Sequence, residues 1–268
     1  DLQYNNRYHV PDFETSLTSW ETLSRQAEKK YRVIKDIPYG TVTRESLDVF
    51  PSPNPGSKTL IFIHGGYWQM FDKSSFHFVA GAFARYGITT VLLNYPLAPT
   101  ASIDQIVLSC SKAVHWLKKN LHQLNGDPEQ MYVVGHSAGG HLAAMLMIAN
   151  GNDCHSLLRG VVSISGLFNL IPIQLSRINS ALQMDVATAT RNSPAREEPG
   201  AFGSLLIAVG SAETDEFKDQ SRELYAHWKG RMRSIELMEI KGLNHFSILD
   251  SLHAVDSLLH KAICDFLI

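Results

Sequence analysis

The residues in this sequence that could do chemistry begin with Gly135-His136-Ser137-Ala138-Gly139, a serine framed by two glycines. A β-branched run, Met131-Tyr132-Val133-Val134, stops at the first glycine, and small residues then open an apolar helix near Ala138. That is strand, sharp turn and helix, with the pattern G-x-S-x-G at the turn. A serine there sits in a strained backbone that pushes its hydroxyl out of the sheet, and a Cβ at Gly135 or Gly139 would collide with the neighbouring chain. A serine hydroxyl is a weak nucleophile at neutral pH and needs a base to accept its proton. Among the 12 histidines the best base is His245, which follows the expected last strand in the loop Gly242-Leu243-Asn244. His253, His260, His115 and His122 fall on polar helix faces, and an elbow turns His136 and His141 away from the serine. An acid is expected after the preceding strand, where Glu213 and Asp215 share the loop Gly210-Ser211-Ala212-Glu213-Thr214-Asp215. Asp215 is favoured because it lies deeper in the loop, just before the next helix. A carboxylate at that place fixes the imidazole tautomer and stabilises the imidazolium.

Attack on an acyl carbon also creates an oxyanion, which backbone N–H groups can stabilise by about 3–4 kcal/mol per donor. Ala138, at the start of the elbow helix, offers one N–H. The run His64-Gly65-Gly66-Tyr67-Trp68 ends another apolar strand, and Gly66 and Tyr67 are the expected further donors. Trp68 and Phe71 are candidates for an aromatic pocket or, equally, for anchors of the loop. No G-x-G-x-x-G follows a strand, and the glycine run lacks the lysine-serine ending of a phosphate loop. Neither a cofactor nor a metal is expected.

The elements that would position these groups alternate along the whole chain. Residues 1 to about 30 carry one amphipathic helix, marked by Leu17, Trp20, Leu23 and Ala27. Strands are expected over 31–37 and 41–49, joined by a turn at Pro38-Tyr39-Gly40. Apolar strands follow at 58–64, 88–95, 131–135, 160–165, 204–209 and 235–240. Between them run helices at about 75–86, at 103–124 and after Ser137. A last helix, with Ile248, Leu252, Val255, Leu259, Ala262 and Phe266 on one face, closes the chain. Residues 167–203 lack clean periodicity and read as a small cap inserted over the sheet. The pattern predicts an α/β fold, a mainly parallel sheet covered on both sides, as one domain over 1–268. In such sheets ligands bind outside the carboxyl ends of the strands, where all the candidate groups fall.

Bulk properties narrow the function. With 268 residues, 44% hydrophobic and 19% charged, the chain can bury a sizeable core. A net charge of −2 without a long basic block argues against nucleic-acid or anionic-membrane partners. No apolar run approaches the roughly 20 residues needed to span a bilayer, and the start shows no signal-peptide pattern. Residue 1 is Asp rather than Met, which leaves room for native residues upstream. Cys110, Cys154 and Cys264 cannot all pair, and their spacing is unlike a zinc site. A reducing, cytoplasmic setting is the expectation. A homodimer is left open.

With His64-Gly65-Gly66-Tyr67-Trp68, Gly135-His136-Ser137-Ala138-Gly139, Asp215 and His245 in place, the chain resembles the kynurenine formamidases (arylformamidases). These belong to the H-G-G-x-W esterase/lipase branch of the α/β-hydrolase fold, whose order of nucleophile, acid and histidine is matched here. Tyr95-Pro96-Leu97-Ala98-Pro99 is similar to the Y-R-L-A-P segment of that branch, with proline where arginine is usual. Tyr4-Asn5-Asn6-Arg7, Tyr39-Gly40 and Leu47-Asp48-Val49-Phe50 also resemble formamidase landmarks. Tyr67 stands where many branch members have a third glycine, which narrows the space beside it and suits a flat substrate. The resemblance implies a small-molecule substrate, N-formyl-L-kynurenine, cleaved to L-kynurenine and formate in tryptophan breakdown. Selectivity would then rest on the aromatic leaving group, with ring contacts expected from the Trp68 loop and the 167–203 insertion. The rival readings are a general carboxylesterase or thioesterase with the same triad, and a non-catalytic binding protein on this fold.

Overall fold

A computed structural model of the chain describes residues 1–149, 153–200 and 203–267. Its strands are β1 (Ile34–Pro38), β2 (Ser46–Phe50), β3 (Ser57–Ile63), β4 (Thr89–Leu93), β5 (Gly126–His136), β6 (Gly160–Ile164), β7 (Ser204–Gly210) and β8 (Ser234–Ile240). Among the described residues they form one sheet in the order β1-β2-β4-β3-β5-β6-β7-β8. β2 runs antiparallel to both its neighbours, and every pair from β4 to β8 is parallel. The longer helices are α1 (Phe13–Lys30), α2 (His77–Phe83), α3 (Ile103–Asn120), α4 (Ala138–Met145), α5 (Asp215–Trp228) and α6 (Leu258–Leu267).

The alternation of side chains along each strand divides the core into two layers. Ile61, Ile63, Val133, Val161, Leu205 and Ile207 face one way, against Ile106, Cys110 and Val114 of α3, Leu142 of α4, and Phe217 and Leu224 of α5. Leu60, Phe62, Val134, Val162, Leu206 and Ala208 face the other, against Trp20 of α1, Val79 of α2, and Leu259 and Ile263 of α6. The central strands are apolar on both faces because both are covered. α3 starts at a capping box, in which Gln105 N–H donates to Ser102 Oγ at 3.3 Å and Ser102 N–H to Gln105 Oε1 at 2.8 Å.

The amphipathic helix near the start is observed as α1, burying Trp20, Ser24 and Ala27. Three local expectations change. The turn at Pro38-Tyr39-Gly40 is a longer loop, because the Glu45 carboxylate turns back to accept from Thr41 N–H at 2.9 Å, so β2 begins only at Ser46. The closing helix is broken. A short turn of helix at Ser247–Asp250 ends, and α6 starts anew after Ser257, whose Oγ accepts from His260 N–H at 3.0 Å. The 167–203 insertion is a set of short helices, Ile171–Gln174, Asn179–Leu182 and Val186–Arg191, tied to α3 by Arg191 on Asp104 at 2.6 Å. Its residues 201 and 202 lie outside the described residues.

Candidate active site

The parallel register brings the carboxyl ends of β3, β5 and β6 level, with Ile63 beside Gly135 and Gly135 beside Ser163. Ser137 follows β5 with φ 56° and ψ −120°, a strained conformation for a residue with a side chain. Its geometry is forced by two close approaches. A Cβ on Gly135 would lie 2.0 Å from Gly139 O, and one on Gly139 would lie 2.0 Å from Ile63 O. Ser137 N–H donates to Ile164 O at 2.8 Å, so the elbow is also tied to β6.

His245 reaches this serine from the loop after β8. Its Nε2 lies 3.0 Å from Ser137 Oγ, and its Nδ1 lies 2.7 Å from Glu213 Oε2. A carboxylate only accepts, so Nδ1 carries the proton and Nε2 is left to accept from the serine hydroxyl. The imidazole is packed between the rings of His136, at 4.8 Å, and Phe217, at 4.6 Å. His136 Nε2–H donates to His245 O at 2.9 Å, which fixes the loop as well as the ring. Burial pushes the His136 pKa well below its ordinary value, with the neighbouring His245 adding to the effect.

The carboxylate beside His245 is therefore Glu213, and the expectation for Asp215 is corrected. The Glu213 side chain is fully buried, whereas that of Asp215 is 80% exposed and pairs with Lys218 at 2.9 Å. The cause is the tight path after β7. Gly210 packs so closely on the loop bearing His245 that a Cβ there would lie 2.1 Å from Leu243 O. Glu213 N–H closes a turn on Gly210 O at 3.1 Å, and Glu213 Oε1 accepts from Gly210 N–H at 2.8 Å and from Ser165 Oγ at 2.6 Å. The chain has turned inward by Glu213, and by Asp215 it has already entered α5 on the surface. Glu213 and Asp215 share one loop, and the turn at Gly210, which depth along the loop does not reveal, points Glu213 inward.

Gly66, at φ +105°, and Tyr67, at φ +49°, turn sharply beside the elbow. A Cβ on Gly65 would come within 3.0 Å of the Ser137 Cβ, so only glycine lets this loop approach the elbow serine. Among the described residues, the N–H groups of Gly66, Tyr67 and Ala138 have no protein acceptor. The loop is held from behind. Tyr95 stacks on His64 at 4.5 Å and donates to His64 O at 2.8 Å. Arg44, missed in the sequence for want of any local signal, donates to Tyr95 O at 3.0 Å and to Phe71 O at 2.9 Å.

Of the two pocket candidates, Phe71 lines the cavity and Trp68 does not. Trp68 is fully buried at φ +59°, and its indole N–H donates to His141 Nδ1 at 3.2 Å. His141 in turn donates from Nε2 to Asn192 O at 2.8 Å, so Trp68 anchors the loop to α4 and the insertion. The cavity at Ser137 holds about 610 Å³, within the usual range for small-molecule sites. Its apolar wall is Leu17, Trp20, Phe71, Phe76 and Phe246, and the insertion adds Arg177 and Ile178 instead of the expected aromatics. The segment 1–7 borders the cavity too. Tyr67 OH donates to Tyr4 O at 2.5 Å, and Tyr4 OH donates to Glu216 at 2.6 Å, strapping the segment from the Gly66 loop to α5. Among the described residues no group of three or more His, Cys, Asp or Glu could hold a metal ion, and no helix is long and apolar enough to cross a membrane.

A family model described as the alpha/beta hydrolase fold matches residues 60–249. Kynurenine formamidase of Danio rerio is 30% identical over 247 residues, covering 89% of this chain and 83% of that protein. Isoprenylcysteine alpha-carbonyl methylesterase of Arabidopsis thaliana is 31% identical over 119 residues, covering 44% of this chain and 28% of that protein. A crystal structure from Silicibacter sp. TM1040, provisionally named a thioesterase, superposes with a TM-score of 0.89 at 26% identity, covering 98% of each chain. The chain belongs to the α/β-hydrolase fold family and, within it, to the relatives of the kynurenine formamidases.

Proposed function

We propose that this chain hydrolyses N-formyl-L-kynurenine to L-kynurenine and formate, with Ser137 as nucleophile, His245 as base and Glu213 as acid. Ser137 Oγ attacks the formyl carbon while His245 Nε2 takes its proton. The oxyanion accepts from the N–H groups of Gly66, Tyr67 and Ala138, which have no protein acceptor among the described residues, each worth about 3–4 kcal/mol. Glu213 stabilises the imidazolium without taking the proton itself. His245 then protonates the aniline nitrogen, the C–N bond breaks, and formyl-Ser137 remains. Water activated by His245 attacks this ester, releasing formate and restoring the serine. The aryl ring of the leaving group fits the wall formed by Trp20, Phe71, Phe76 and Phe246.

One observation carries the choice of substrate. Similarity to the Danio rerio formamidase extends over 89% of the chain, against 44% for the methylesterase, so it reaches beyond the shared catalytic segment. A second reading, an esterase or thioesterase of small acyl groups, is favoured by the likeness to the Silicibacter protein. Steady-state kinetics on N-formyl-L-kynurenine beside p-nitrophenyl acetate separates them. We expect kcat/KM to favour the formamide; a preference for the ester above a hundredfold would overturn the proposal. Ser137→Ala should lose both activities, and undiminished turnover in that variant contradicts the mechanism.

A further inference from the structure

The cavity is lopsided in charge as well as in polarity. Its inner wall is aromatic, yet its border carries two guanidinium groups, Arg7 and Arg177, against a single carboxylate, Asp1. Neither arginine is ion-paired among the described residues. Arg7 lies over the Phe13 ring at 5.1 Å and 3.8 Å from Met70 Sδ, contacts that leave its charge uncancelled. Arg177 has no side-chain partner at all among the described residues, although its backbone is pinned on both sides. Its N–H donates to Asp1 Oδ1 at 2.7 Å, and the next carbonyl, of Ile178, accepts from Gln69 Nε2 at 3.2 Å. An exposed arginine held at its base and free at its head, on the border of the cavity that Ser137 also lines, is arranged for an anionic ligand group. Guanidinium suits a carboxylate because its fork can donate two parallel bonds.

We infer that Arg177, assisted by Arg7, is the specificity-determining site for a carboxylate on the leaving group, so that the preferred substrates are acyl aryl amines bearing an acidic tail. The inference rests on the formamidase reading for the identity of the acyl group and deepens it by assigning the tail. The aromatic wall takes the ring, the Gly66 loop takes the carbonyl oxygen, and the tail lies toward the charged border. The Asp1 carboxylate at the same border suits an ammonium on that tail, so the site distinguishes an α-amino acid from a plain ring.

The test compares N-formyl-L-kynurenine with 2-formamidoacetophenone, which keeps the aryl ketone and the formamide but lacks the amino-acid tail. In Arg177→Gln the ratio of kcat/KM for the first over the second should fall at least about tenfold, through KM, because a charge-assisted pair is worth that much or more. Arg177→Lys should recover part of the ratio, since the charge returns without the fork. An Arg7→Gln, Arg177→Gln double variant should lower it further. Equal loss on both substrates, with a lowered thermal midpoint, means a structural role and overturns the inference; an unchanged ratio in the double variant overturns it as well. Failure of the parent reading looks different, because the unmodified protein would then hydrolyse neither formamide. In that case the same ratio is read on 3-(4-acetoxyphenyl)propanoate against phenyl acetate, where the carboxylate again sits on the leaving side. Loss of discrimination in Arg177→Gln supports the carboxylate site there, and its persistence rejects it.

Discussion

Glu213 and Asp215 stand two positions apart in one loop, and only one of them touches the imidazole. Replacing Glu213 by Gln keeps the shape but offers an amide that can present N–H to Nδ1, favouring the wrong tautomer. By analogy with the loss of the acid in serine proteases, kcat should fall by roughly four orders of magnitude. Asp215→Asn removes only an exposed pair with Lys218 and should leave kcat within about twofold. Measuring both variants on one substrate decides the assignment, and a larger loss in Asp215→Asn would reverse it. The sequence narrowed the candidate carboxylate to this pair because both follow the penultimate strand. It could not choose between them, since the choice depends on how close the loop bearing Leu243 lies to Gly210, a contact between segments distant in the chain.

At the scale of elements, the elbow joins β5 to α4 with no room to spare. Gly139→Ala would drive a methyl group to 2.0 Å from Ile63 O, a backbone atom at the carboxyl end of the central strand β3 that cannot move aside. The variant should be destabilised by more than about 4 kcal/mol, enough to abolish soluble expression or collapse the urea midpoint. Gly230→Ala makes the useful comparison. It sits at φ +81° with nothing within 4 Å of an added Cβ, so its cost should be only about 1–2 kcal/mol, from backbone conformation. Similar losses in the two variants would show that conformation, and not the collision, makes the elbow glycine necessary. The strap across the cavity belongs to this scale as well. Tyr67→Phe deletes the bond to Tyr4 O and should lower kcat severalfold by loosening the Gly66 loop, which kinetics on N-formyl-L-kynurenine would register; an unchanged kcat would detach the strap from catalysis.

Across the whole molecule, the response to acid follows from histidines buried without charge. Burial lowers the pKa of His64 and of His141 to about 4, and holds that of His136 well below its ordinary value. In the unfolded chain these rings take up protons near pH 6.5. Between about pH 6.5 and 4 the unfolded state therefore binds more protons, so stability falls as pH falls. His64 and His141 should each account for a loss on the order of 3 kcal/mol by pH 4. Carboxylates extend the trend. Burial would raise Asp72, but hydrogen bonds from Asn94 and Ser74 outweigh it and hold the group at about 2, so its contribution disappears at still lower pH. Urea midpoints followed from pH 8 to 4 should drop steadily below about pH 6.5; a flat profile across that interval would contradict the neutral buried histidines.

What the sequence determined by itself was the local grammar. Alternating apolar runs and helical periods specified a covered parallel sheet, and the elbow glycines, the glycine loop and the histidine after the last strand marked the carboxyl ends where chemistry collects. Those signals are short-range, carried by backbone conformations that only particular residues allow. Tertiary structure decided what depends on distance between remote segments. It selected Glu213 over Asp215, turned Trp68 inward onto His141 while leaving Phe71 in the cavity, and recruited Trp20 of α1 and Arg177 of the insertion to one pocket. Neither tryptophan carries a local mark of its destination, because which face of a ring meets solvent is set by the element packed over it. The elbow was legible as a strained turn that presents a serine. What that serine meets depends on walls assembled from distant parts of the chain.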